Sequence, residues 1–132
     1  DGVHVHPSVV RIVVAAKQAA RVLAVTDGTA LSGMAPGSAG LLGDQAIHVE
    51  AGAARLDDGT LAGSVLTMDA LFRTLTGPIG LSVVDAAAMC ATTPARALGL
   101  TGHGVIAEGA AADLEVLDAD GQVVETYVGG RV

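Results

Sequence analysis

Tryptophan is missing from this chain, and phenylalanine and tyrosine occur once each, as Phe72 and Tyr127. An aromatic core is therefore excluded, and so is a platform on which bases could stack. Lys17 is the only lysine, and 14 acidic residues against 7 basic ones give a net charge of −7. No basic stripe can be drawn, so neither a nucleic acid nor an anionic membrane is an expected partner. An anionic small substrate stays open, because local geometry can override net charge. Cys90 stands alone, which rules out an internal disulfide and fits a reducing, cytoplasmic compartment. No apolar run reaches the ~18 residues of a membrane span.

What is present is aliphatic. Of the 132 residues, 51% are hydrophobic and only 16% charged, far from the signature of disorder. The core must come from Ala, Val and Leu, and 18 glycines imply many turns and close backbone approaches. The length suits one domain. The opening Asp1-Gly2-Val3-His4 lacks an initiator Met and enters an apolar–polar pattern at once, so the sequence is expected to be an excerpt of something longer.

Strand and helix signals alternate. Gly2–Val5 reads as a short strand. Pro7 suits the first turn of a helix running from about Ser8 to Arg21. Leu23–Thr26 reads as the next strand, and this rhythm predicts a parallel β/α unit. A Gly- and Ala-rich loop spans 28–43. Ala46–Val49 and Ala53–Leu56 predict a hairpin, and Asp57-Asp58-Gly59 a turn. Ser64 is a candidate cap for a helix carrying Val65, Met68, Phe72 and Leu75. Gly77-Pro78 breaks that helix. Ser82 and Asp85 form a capping-box-like start for another. Pro94–Leu98 adds a further helical turn, ended by Gly99. Asp113–Leu117 and Val123–Val128 alternate as strands. The fold class predicted is α/β: residues 1–100 as the last units of a (β/α)₈ barrel, and 101–132 as strands of a separate small sheet. Such a barrel takes ~250 residues, so neither part closes by itself.

Several residues are candidates for chemistry. His4 and His6, at i and i+2 on a strand, point to one face and could supply two ligands of a zinc ion. They could equally be an exposed pair at a strand end, and no Glu or Cys nearby completes a ligand set. His48, in the hairpin, and His103, in a Gly-rich loop, read as surface residues. Cys90 reads as core filler rather than nucleophile. Asp27 ends the run Leu23-Ala-Val-Thr-Asp-Gly28. In parallel α/β architectures functional side chains gather at the carboxyl ends of strands, and a carboxylate there can move a proton from water to a leaving amine. Asp27 could also simply begin a turn. Leu61-Ala62-Gly63-Ser64 combines small residues, which let backbone approach a ligand, with the start of a helix; ordinary capping by Ser64 is the competing reading.

Three stretches, in this order and spacing, resemble the N-acetylglucosamine-6-phosphate deacetylase family of amidohydrolases: Asp1-Gly-Val-His-Val-His-Pro7, Leu23-Ala-Val-Thr-Asp-Gly28 and Asp58-Gly-Thr-Leu-Ala-Gly-Ser-Val-Leu-Thr-Met68. Thr93-Pro-Ala-Arg-Ala-Leu-Gly99, Gly104–Leu114 and Val128-Gly-Gly-Arg-Val132 fit too, but are shared widely among amidohydrolases. The resemblance covers this whole chain and the C-terminal third or so of a full enzyme. It implies a (β/α)₈ barrel with a small β-sandwich built from both chain ends. It implies hydrolysis of the acetamide of N-acetylglucosamine 6-phosphate to glucosamine 6-phosphate and acetate. Asp27 matches the acid/base that deprotonates a metal-bound water and protonates the departing amine. Asp1, Gly2, Val3 and His4 match a substrate-contacting segment, with His4 toward the sugar phosphate. Ala62, Gly63 and Ser64 match a second one.

The resemblance also implies a divalent metal, zinc or iron, whose ligands (a Glu and two His) lie upstream of these residues, together with a His that polarises the amide carbonyl. The partners implied are the phosphorylated amino sugar, the N-terminal portion of the same enzyme, and a second copy in a homodimer. His4 and His6 then read less as metal ligands. Two departures stand out: Thr76-Gly77-Pro78-Ile79 is a short linker, and Gly28 stands where Ala is usual. Two alternatives are a dihydroorotase-like cyclic amidase, which the stretch from Thr60 to Met68 disfavours, and a non-catalytic sugar-phosphate binding or assembly piece.

Overall fold

A proline in the first turn of a helix forfeits no hydrogen bond, and α1 accordingly runs from Pro7 to Lys17. His6 caps it, Nδ1 accepting from the Ser8 N–H at 3.2 Å. The predicted extension to Arg21 fails at Gln18, whose φ of 66° ends the helix; a separate 3₁₀ turn covers Ala19–Arg21. The computed structural model describes residues 1–132 throughout.

The largest sheet is antiparallel. Strands β1 (Ala39–Leu42), β2 (Gln45–Glu50), β3 (Ala53–Arg55) and β4 (Leu61–Ser64) follow one another in a meander. The predicted β2–β3 hairpin is present, closed by Ala51 and Gly52 at φ 48° and 79°. Positive φ at both central residues matches the twist of the flanking strands. Strand β1 lies inside the stretch read as a loop, and β4 where a helix start was expected. Beneath this sheet Leu31, Ile47, Val49, Ala54 and Ala62 form one small core.

Neither predicted parallel strand forms a ladder. Residues 2–5 are irregular. Residues 22–26 belong to no strand, and their burial alternates, with Leu23 and Val25 43% and 66% exposed while Val22 and Ala24 pack on a core. The alternation of a strand is there, but a strand is defined by hydrogen-bonded neighbours. Its backbone tie is instead the Ala24 N–H donating to the Met89 carbonyl at 2.9 Å.

That tie has a cause in the sequence. After α2 (Met68–Thr76), Ser82 caps α3 (Val83–Ala87), its Oγ accepting from the Asp85 N–H at 3.0 Å and donating to the Asp85 carboxylate at 2.8 Å. A π turn over Ala88–Thr92 leads into α4 (Thr93–Ala97). In an unbroken α-helix the Met89 carbonyl would accept from the Thr93 N–H. Here the Thr93 N–H donates to Ala88 instead, and Pro94 has no N–H to offer. The Met89 carbonyl is thus free for Ala24. Ala19, Leu71, Leu75, Ile79, Ala86 and Met89 form the second core, joined by Val10, Val14, Val22 and Ala24.

The tail forms the antiparallel hairpin β5 (Leu114–Leu117) and β6 (Val123–Tyr127). It is tied back by the Thr92 hydroxyl donating to the Gly104 carbonyl at 2.6 Å and by Arg73 donating to the Gly121 carbonyl at 3.2 Å. The architecture is mixed α/β with two antiparallel sheets. No helix is long and apolar enough to cross a membrane.

Candidate active site

Asp27 sits in the left-handed region at φ 50°. That conformation is uncommon for a residue with a Cβ, although Asp tolerates it better than most. Strand β4 holds it. The Ser64 N–H donates to the Asp27 carbonyl at 2.8 Å, and the Thr29 N–H returns to the Ser64 carbonyl at 3.1 Å. The Thr29 hydroxyl donates to the same carbonyl at 3.3 Å and accepts from the Leu31 N–H at 3.2 Å. The result is a one-residue parallel bridge between Gly28 and Ser64. Asp27 is therefore held by its backbone, and it also borders an open cavity.

Gly63 makes this approach possible. Its φ is +95°, and a Cβ there would lie 2.8 Å from the Thr29 methyl and 3.1 Å from the Asp27 carbonyl oxygen. The Asp27 carboxylate lies 3.8 Å from the same point. The reading of Ser64 as a helix cap is overturned. Ser64 ends β4, is 1% exposed, and its Oγ accepts from the Leu66 N–H at 2.8 Å, while Thr67 occupies the N-cap of α2. Gly28, placed where Ala is usual, also has a local reason. A Cβ there would lie 2.5 Å from the Ser32 Oγ.

The cavity measures about 490 Å³ and is walled by valines and leucines, with Asp1, Gly2, His4, Thr26 and Asp27 supplying its polar margin. His4 Nδ1 lies 2.5 Å from Asp1 Oδ2. Asp1 Oδ1 accepts from the Val3 and His4 N–H groups at 3.0 and 3.2 Å. Of the expected site residues, Asp1, Gly2, His4 and Asp27 share this cavity, whereas Val3, Ala62, Gly63 and Ser64 do not line it. Gly63 and Ser64 reach the site through the backbone of Asp27, whereas Ala62 packs in the small core of the sheet. Sequence reasoning missed Thr29, which anchors the turn, and the pairing of Asp1 with His4. The Asp-Gly-x-His spacing, with glycine free to turn, was the signal for the second.

The other candidates fall outside. His48 lies 3.7 Å from Glu50 and 3.8 Å from Asp57, and His103 lies 3.8 Å from Asp113, all at the surface. Cys90 is half-buried in the π turn, where burial pushes its thiol pKa up, away from nucleophile chemistry. No group of three or more His, Cys, Asp or Glu side chains gathers to hold a metal. His4 and His6 each have Nδ1 engaged, by Asp1 and by the Ser8 N–H. These residues do not make up a divalent-metal site.

The amidohydrolase family model matches residues 58–132. The chain belongs to the amidohydrolase family. More particularly, it is similar to deacetylases of phosphorylated amino sugars. It is 32% identical to an N-acetylglucosamine-6-phosphate deacetylase of Lysinibacillus sphaericus, over 100% of this chain and 34% of the relative. It is 31% identical to an Escherichia coli N-acetylgalactosamine-6-phosphate deacetylase, over 100% of this chain and 35% of the relative. Among solved structures, the N-acetylglucosamine-6-phosphate deacetylase of Thermotoga maritima superimposes with a TM-score of 0.91 at 37% identity, covering 99% of this chain and 36% of that one. The chain thus spans about a third of the length of these relatives.

Proposed function

We propose that this chain is part of an enzyme that hydrolyses the acetamide of N-acetylglucosamine 6-phosphate, releasing glucosamine 6-phosphate and acetate. The observation that carries this is Asp27: a residue whose backbone β4 clamps in the left-handed region, on the margin of a cavity it shares with His4. Asp27 takes a proton from the attacking water. The hydroxide adds to the acetyl carbon, the C–N bond breaks, and Asp27 returns the proton to the departing amine. His4 contacts the phosphate end of the sugar. The segments 1–4 and 62–64 flank the substrate, the second chiefly by fixing Asp27.

In this reading residues 1–100 are the last units of a (β/α)₈ barrel and 101–132 belong to a small β-sandwich. The alternating burial of residues 22–26, leading into Asp27, supports the first assignment. The remainder of the enzyme supplies the divalent metal ligands and the missing strands. The reading extends to a homodimer in the cytoplasm, on the family resemblance alone. A relative named for the galactosamine epimer makes both sugars the substrates to assay. In the full-length enzyme, Asp27→Asn should keep the fold, checked by circular dichroism, and lower kcat by ~10²–10⁴-fold. A folded variant with near-normal kcat overturns the assignment.

A further inference from the structure

The Asp1 carboxylate has little capacity left for a ligand. Oδ1 accepts from two backbone N–H groups, and Oδ2 meets His4 Nδ1 at 2.5 Å. The side chain is only 10% exposed, against 30% for His4. An ionised carboxylate accepts only, so the proton of this contact lies on Nδ1. His4 Nε2 makes no hydrogen bond within the chain and belongs to the residue bordering the cavity. Gly2, at φ 77°, makes the turn that brings the two side chains together.

We propose that Asp1 is a positioning residue for His4 and not itself a contact of the substrate: it holds the ring by Nδ1–H, so that a second proton on the ring sits on Nε2, where Nε2–H is donated to an anionic oxygen, of the phosphate-ester class, entering the cavity. This rests on the role given to His4 above. A side chain held this way keeps one rotamer, and with both ring nitrogens protonated Nδ1–H faces the Asp1 carboxylate while Nε2–H faces the cavity. Asparagine is the same size but uncharged, and with its oxygen taken by the two backbone N–H groups it turns an N–H₂ to Nδ1; the ring then keeps a single proton, on Nε2, and meets the anionic oxygen without a positive charge.

The test uses the full-length enzyme as wild type, Asp1→Asn, His4→Ala and the double variant. In protein labelled with ¹⁵N-histidine, Asp1→Asn should move the His4 ring signals away from the Nδ1–H pattern. It should raise KM for N-acetylglucosamine 6-phosphate about tenfold, leave kcat within about twofold, and leave kcat/KM for unphosphorylated N-acetylglucosamine unchanged. Adding Asp1→Asn to His4→Ala should cost less than about twofold more, because the two act as one unit. Unchanged ring signals in Asp1→Asn, or a full loss that persists in the His4→Ala background, overturn the proposal. If the wild-type enzyme does not cleave the phosphosugar, the functional reading fails separately. Titration with inorganic phosphate then decides: it should shift the His4 Nε2 signal in wild type and less in Asp1→Asn, and equal shifts overturn the proposal.

Discussion

A residue with a Cβ in the left-handed region costs up to about 1–2 kcal/mol over a relaxed one, less for Asp than for most, and such outliers persist only where surrounding structure over-determines them. At Asp27 the surroundings are specific: two backbone hydrogen bonds to Ser64, the Thr29 hydroxyl, and a glycine at 63 in place of any side chain. Gly63→Ala tests that arrangement. Its methyl would press on the Thr29 methyl and the Asp27 carbonyl at a φ of +95°, so a loss of roughly 2–4 kcal/mol is expected. Measured on the full-length enzyme, the denaturant midpoint should fall and kcat should fall with it. Unaltered kcat in a destabilised variant would separate the clamp from catalysis.

Elements decide how that turn is delivered. In α2, the Thr67 hydroxyl and the Arg73 guanidinium hold the Asp69 carboxyl down at about 2. The Arg73 contact measures 2.7 Å and both side chains are partly exposed, so solvent screening leaves roughly 0.5–1 kcal/mol. A carboxyl lowered in the folded state stabilises above its unfolded value, near 3.8, and loses that stabilisation as pH falls toward about 2. Denaturation of the full-length wild type and Asp69→Asn should therefore show a constant gap above about pH 5 that narrows below about pH 4. Gly104→Ala is the harsher test of an element junction. At a φ of +68°, a Cβ would lie 2.5 Å from the Ala91 carbonyl oxygen and 3.0 Å from the Thr92 Cα. Backbone cannot yield there, and roughly 2–4 kcal/mol should be lost, read as a lowered denaturant midpoint with the tail released.

Elements are also where the sequence was legible unevenly. Ser82 and Asp85 announced a helix start because a cap is a local hydrogen bond between near neighbours. The β2–β3 hairpin was legible for a similar reason, since Ala51-Gly52 fixes its own register. Ser64 misled, because a serine before an apolar run reads the same whether it caps a helix or ends a strand; its burial at the end of β4 depends on partners 35 residues away. Strand β1 carries only Ala-Gly-Leu-Leu and forms because β2 offers it an edge. Leu23–Thr26 shows the converse: the stretch reads as a strand and its burial alternates, but no neighbouring strand completes a ladder. The Met89 carbonyl beside Ala24 was beyond pattern reading altogether, since it follows from two missing donors in another helix.

At the scale of the whole molecule, surface area carries the argument. A compact monomer of this mass, 13.0 kDa, exposes about 6,300 Å², whereas this chain exposes 8083 Å² with 15 of 132 residues buried. The excess is roughly twice what one partner buries in a standard protein interface, about 800 Å², and it is apolar: Ile12, Val25, Leu41, Val84 and Ile106 are all more than half exposed. The β5–β6 hairpin has no third strand, and a two-stranded hairpin is marginal in water. Relatives about three times as long provide the material to cover these faces. Residues 1–132 expressed alone should therefore aggregate or populate a loosely packed state, retain no stoichiometric divalent metal, and show no deacetylase activity, since unpaired edges and bare apolar faces favour association. Gel filtration, thermal circular dichroism and metal analysis check this together. A monodisperse monomer that unfolds cooperatively with one bound metal per chain would mean that the exposed faces need no cover, and that the ligands lie among residues assigned other roles here.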